Sequence, residues 1–307
     1  MPDSPFDFCK GYTGFKGSNH SMLHSFEPHE SVIKPNIRFI IAYNVLHIFG
    51  LILIFAILCT AWFSPSIRRS TAWYSFNCAW ILSCVGCLLI LGHQTGPLPG
   101  HIHCLFQAML LNASPALNAL TFVTFMVEIS LTISGPTTIF RITKMIFYFV
   151  PYAVFTGILV EVLIFGLLHP TAVLREPNGS VCYLSIWVPV RITSAIVICS
   201  VSACLILGVR IILKYRKHRR ACKTFLIRNN TPLGLILRLG VVGLCSILSI
   251  GLGIVHETVG LDNVFSLSSA ALPPAVGIIF GSQGDILRLW MFWRKRKPLP
   301  TLTTATI

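Results

Sequence analysis

Seven apolar runs alternate with short polar stretches along the chain: Phe39 to Phe63, Ala72 to His93, Ile102 to Ser134, Lys144 to Leu168, Ser185 to Leu213, Leu233 to Val259 and Val264 to Gly281. An α-helix rises 1.5 Å per residue, so runs of this length reach across a hydrocarbon core of ~30 Å. The pattern predicts an all-α, seven-transmembrane helix bundle over residues 39–281. It is preceded by a mostly disordered tail (1–38) and followed by an interfacial helix and tail (282–307). The third run is longer than a membrane needs and carries Pro115, which predicts a tilted, kinked helix. Gly96 to Gly100, GPLPG, breaks the chain between the second and third runs.

One polar stretch gives the bundle a direction. Lys214 to Arg228, KYRKHRRACKTFLIR, holds seven Lys or Arg and no acidic residue. Moving it across a bilayer during insertion is strongly disfavoured, which places it in the cytoplasm. The other loops then have sides. Of the 24 Lys and Arg, 18 fall at inner ends, Arg175 and Arg191 at outer ends, and four in the amino-terminal tail. This bias predicts an extracellular amino terminus. The first 38 residues show no short apolar core before a small-residue cleavage site, so the first span is expected to act as its own insertion signal.

Composition agrees with this scheme. Apolar residues make up 54% of the chain and charged residues 11%, against ~25% charged in soluble domains. A net charge of +14 points to nucleic acid in a soluble protein. Here the basic residues flank apolar spans, so the expected partner is anionic inner-leaflet lipid and no nucleic acid is expected. Most of the eleven cysteines lie inside spans, where they act as small hydrophobes.

After the last span comes SQGDILRLWMFWRKRK, with Ile286, Leu289, Trp290 and Trp293 at helical spacing on one face, a short helix for the inner headgroup plane. Ser282 with Asp285 reads as its start. The run FGSQGDILRLWMFWRKRK, with TAWYSFNCAWILSC at the second span and CLFQAMLLNASPALNAL at the third, resembles a fungal family of uncharacterised seven-transmembrane, G-protein-coupled-receptor-like proteins. The resemblance covers Phe39 to about Lys297 and implies the bundle fold and a receptor role, without a ligand. By analogy with rhodopsin-like receptors it also implies a disulfide between Cys104, at the outer start of the third span, and Cys182, in the second outer loop. The chain departs from those receptors elsewhere: the third span ends EISLTISGP without D-R-Y, and the seventh reads ALPPAVGIIFGSQ without N-P-x-x-Y. The seventh span has no lysine, which excludes a retinal Schiff base.

Ionisable residues inside spans are costly and mark function or tight pairing. Glu161 is expected to meet Arg191 near the outer side, and Glu128 to meet Arg238 or Arg210 near the inner side, where a tie between helices could hold an inactive state. Asn19 and Asn178 begin sequons on the outer side and are expected to carry sugar. His93, His101, His103, His169 and His256 gather at outer ends with Glu257 and Asp262; they read as polar lining, and no metal or other cofactor is expected.

These features predict a receptor that senses an extracellular small molecule or peptide. Its signal would pass through the fifth and sixth spans and the basic third inner loop to a heterotrimeric G protein, and no enzymatic activity is expected. Depth alone nominates Gln107, Asn112, Asn118 and Arg191 as pocket residues. A seven-span small-solute transporter fits the same topology, with Pro115 and Pro273-Pro274 as its only hints. An integral-membrane hydrolase would need acidic residues and histidines converging at one depth, which the sequence does not supply.

Overall fold

The structure is a computed structural model. It describes residues 36–65, 67, 69–97, 99–134, 140–221, 238, 240–245, 247–248, 251 and 262–291. The amino-terminal tail, with Asn19, and most of the sixth span lie outside the described residues. Five described helices are long and apolar enough to cross a membrane, and the chain is an integral membrane protein.

The helices are α1 (Ile37–Phe63), α2 (Thr71–Leu88), α3 (His101–Ser134), α4 (Phe140–Leu168), α5 (Trp187–Ala221), α6 (Asp262–Gly281) and the short α7 (Gly284–Trp290). Residues described between 238 and 251 are helical as well. Two strands, β1 (Val173–Arg175) and β2 (Cys182–Leu184), form an antiparallel hairpin between α4 and α5.

Local chemistry sets the helix ends. The Asn36 side chain accepts from the N–H groups of Arg38 and Phe39, satisfying donors that the first turn of α1 leaves open. Ser70 does the same for Trp73 at the start of α2. The sequence pattern carries the second run to His93, whereas α2 ends at Leu88. Beyond it, Leu91 and His93 donate to Leu88 and Ile90, tight turns that lead into Gly92 at φ 86°. The fifth helix goes the other way. It runs past the apolar span to Ala221, because Lys and Arg are good helix formers and nothing in KYRKHRRA breaks the ladder.

In the described bundle α3 lies at the centre, packed on α2, α4, α5 and the hairpin, while α1 packs on α2 and α6. Lipid is as apolar as leucine, so close fit rather than hydrophobic burial holds such helices together. At Gly50 of α1 a side chain would come within 2.6 Å of Pro273 Cβ on α6. A side chain at Gly277 of α6 would come within 2.9 Å of Leu53. Only glycine allows the two backbones to approach this far.

The half of the bundle away from the hairpin holds an aromatic cluster on three helices, α2, α3 and α6. Phe76 of α2 has ring centroids 5.5 Å from Phe122 and Phe280 and 6.3 Å from Phe125, and Trp73 meets Phe280 edge-on. Ile286 of α7 is fully buried against the same cluster. The half that carries the hairpin centres on Cys104, Leu105, Val162, Val173, Cys182 and Leu184.

Candidate functional site

At one end of the bundle the hairpin is bound to the helices at several points. Val173 pairs with Leu184 and Arg175 with Cys182, and the turn closes with Gly179 N–H donating to Glu176. Gly179 sits at φ 76°, a conformation that favours glycine. Cys104 and Cys182 are disulfide-bonded, their Cα atoms 5.3 Å apart.

Next to the bridge, Gln107 is fully buried. Its side-chain oxygen accepts the Cys182 N–H at 2.8 Å, and its nitrogen donates to the carbonyls of Gly86 and Cys87. A buried amide with so many partners is a fixed strut joining α2, α3 and β2. Gln94, in the turn after α2, exchanges hydrogen bonds with Asn44 of α1 and donates to the Ser180 carbonyl at 3.1 Å. Arg175 donates to the carbonyls of His93, Gly96 and Pro97. Glu176 accepts from Ser180 Oγ at 2.6 Å and from Ser266 Oγ of α6 at 3.4 Å. The hairpin is thereby tied to α3, to the α2–α3 turn and to α6, and through Gln94 to α1.

The four residues nominated from depth are not gathered at one place. Gln107 and Asn118 are eleven positions apart on α3, about 16 Å along its axis. Asn112 donates to Ala108 within its own helix, and its backbone carbonyl accepts Thr193 Oγ1 of α5 at 3.1 Å. Asn118 donates to Ser83 Oγ of α2 at 3.2 Å, leaving its own buried side-chain oxygen without a hydrogen-bond partner. Arg191 is exposed on the outside of α5. Asn178 lies in the hairpin turn with its side-chain nitrogen covered and unbonded, so a sugar there requires this side chain to turn outward.

The end away from the hairpin is braced by a second set of contacts. Ser282 Oγ donates back to Ile279 and closes α6, so α7 starts from Gln283 and not from Ser282 as the capping pattern predicts. Arg69, between α1 and α2, meets Asp285 of α7 at 3.4 Å and lies 5.7 Å over the Trp73 ring. Burial holds its guanidinium below the ordinary arginine range, and Asp285 opposes that shift. Trp290 of α7 donates its indole N–H to Thr60 Oγ1 of α1 at 2.9 Å.

The expected inner and outer ion pairs are arranged differently. Arg238 donates to the Ser282 carbonyl at 2.7 Å. The Tyr148 hydroxyl of α4 accepts the Ala72 N–H at 3.1 Å, and the Glu128 carboxylate lies beside it. Glu161 and Arg191 form no ion pair with each other among the described residues. Of the outer histidines, His93 and His103 have ring centroids 6.4 Å apart, and no metal-binding group of three is present among the described residues.

Sequence reasoning passed over Asn44, Gln94, Glu176, Arg69 and Thr60. Asn44 and His47 were the available signal, two polar side chains three positions apart on one face of an otherwise apolar span. Neither a protein-family model nor a curated protein matches the chain.

Proposed function

We propose that the chain is a seven-span membrane receptor of the fungal G-protein-coupled-receptor-like type. Its hairpin end faces the exterior and its basic segment faces the cytoplasm. The observation that carries this reading is the Cys104–Cys182 bridge, because a disulfide persists on the oxidising side of a membrane. Lys214 lies 27 positions along α5 from Trp187, about 40 Å at helical rise, so the basic segment begins a full membrane thickness away.

On this reading an extracellular small molecule or peptide acts on the hairpin end. The response passes to the inner brace, where Arg238 grips the carbonyl at which α6 ends and α7 begins. A shift of the sixth span would pull on that carbonyl and on the basic loop beside it, the surface offered to a heterotrimeric G protein. Asn19 and Asn178 are the proposed glycosylation sites and the plasma membrane the proposed location.

The transporter reading has one feature in its favour, the Pro273-Pro274 pair that removes two consecutive backbone donors from α6. A ligand screen with a G-protein activation readout in cells separates the two readings. Activation by a defined ligand supports the receptor; silence throughout, with measurable solute flux in the same cells, replaces it with the transporter. An epitope at residue 1 that stays shielded in intact cells overturns the orientation under both.

A further inference from the structure

Two helix faces that look outward from the described bundle each combine a row of small residues with one charged side chain. On α4, Ala153, Gly157 and Glu161 stand at four-residue intervals on one side; the first two are exposed and Glu161 is half-exposed. A side chain built at Gly157 would meet nothing within 4 Å. On α5, Arg191, Ala195 and Cys199 repeat the same interval, and all three are exposed. Larger apolar residues flank both stripes, Phe149, Val160 and Ile164 on α4 and Val190, Ile192 and Ile198 on α5. Small residues on an outward face allow another helix backbone to come close.

The two faces also match in order and in charge. α4 climbs toward the hairpin and α5 descends from it, so Glu161 and Arg191 both mark the hairpin end of their stripes. Glu161 lies seven positions from Leu168 and Arg191 four from Trp187, which puts them about 10 and 6 Å from those ends, within reach of an arginine side chain. Set against each other antiparallel, the stripes bring Glu161 to Arg191, Gly157 to Ala195 and Ala153 to Cys199. A carboxylate at this depth is costly in lipid unless a cation meets it. Within one copy the two groups do not pair.

We propose that the chain self-associates through the outward faces of α4 and α5, with Glu161 of each copy bound to Arg191 of the other. A two-fold axis along the membrane normal makes both pairs at once, as a closed isologous contact requires. The inference does not rest on the receptor reading and needs no ligand.

Energy transfer between fluorophore-tagged copies in one membrane tests it. Wild-type copies should give transfer well above that of an unrelated single-copy membrane protein. Glu161→Arg alone and Arg191→Glu alone should each fall to that background. Co-expressed, these two variants should recover most of the signal, because one copy then carries two arginines and the other two glutamates. Should either reversal fail to accumulate, Glu161→Gln and Arg191→Gln serve, each expected to weaken transfer several-fold. Background transfer for the wild type overturns the proposal. So does a silent mixture of well-expressed reversals, which would assign both groups to their own copy or to lipid headgroups, and so does full transfer in both glutamine variants.

Discussion

Asn44 and Gln94 face each other with both amides, nitrogen to oxygen at 2.5 Å one way and 3.0 Å the other, fifty positions apart and both buried. Both amides are shielded from solvent, so a lost partner is not readily replaced. Asn44→Leu strands the Gln94 oxygen, at a cost of about 1–3 kcal/mol. The expected result is a lower melting temperature in detergent, followed by a thiol dye that reports exposure of the buried Cys84, Cys87 and Cys204. Adding Gln94→Leu should cost less than the sum of the two single changes, because the first has already broken the pair.

The Cys104–Cys182 bridge closes a separation of 78 residues. Removing such a bridge typically costs about 2–5 kcal/mol. Cys104→Ser, Cys182→Ser and the double variant should all lower the melting temperature equally, and a reducing agent should bring the wild type to the same value. Unequal losses would mean that one of the sulfurs has a second role.

At the end away from the hairpin, charge reversal discriminates between two arrangements. Glu128 lies beside Tyr148, and Arg238 donates to the Ser282 carbonyl. Glu128→Arg combined with Arg238→Glu should therefore be no more stable than the worse single variant. Tyr148→Phe and Glu128→Gln should be non-additive, since the two groups act on each other. Rescue by the double reversal would place Glu128 against Arg238 after all.

Two contacts hold α7, and they should differ in weight. Asp285 is 59% exposed, so Asp285→Asn is expected to cost about 0–1 kcal/mol, and less still at high salt. Trp290→Phe removes a partly buried bond to Thr60 and should cost about 1 kcal/mol irrespective of salt. Melting curves at two ionic strengths separate the two effects.

How much of this was legible beforehand depends on the range of each interaction. Helices could be read because the run of apolar residues is a local property, and five of the seven spans appear as membrane-length helices among the described residues. The end of α2 could not, since Leu91 is as apolar as the residues before it and only the turns into Gly92 stop the helix. Arg238 and Glu128 were matched by charge and depth. Rotation about the helix axis decides which neighbour a side chain meets, and spacing alone does not fix it. Gln107 was singled out as polar and near the outer end, yet its amide is committed to Cys182, Gly86 and Cys87. The Asn44–Gln94 pair joins distant parts of the chain; Asn44 stands out as polar in an apolar span, but nothing local names its partner.

The contact of Gly50 with Pro273 and Pro274 bears on how this bundle can move. The two prolines leave the carbonyls one turn earlier, at Ser269 and Ala270, without their usual helical donors, so α6 bends most easily there. Because α1 has no side chain at Gly50 to act as a spacer, its backbone serves as the fulcrum for that bend. Flexing of α6 should tilt α1 with it, making the first span a passenger of the last.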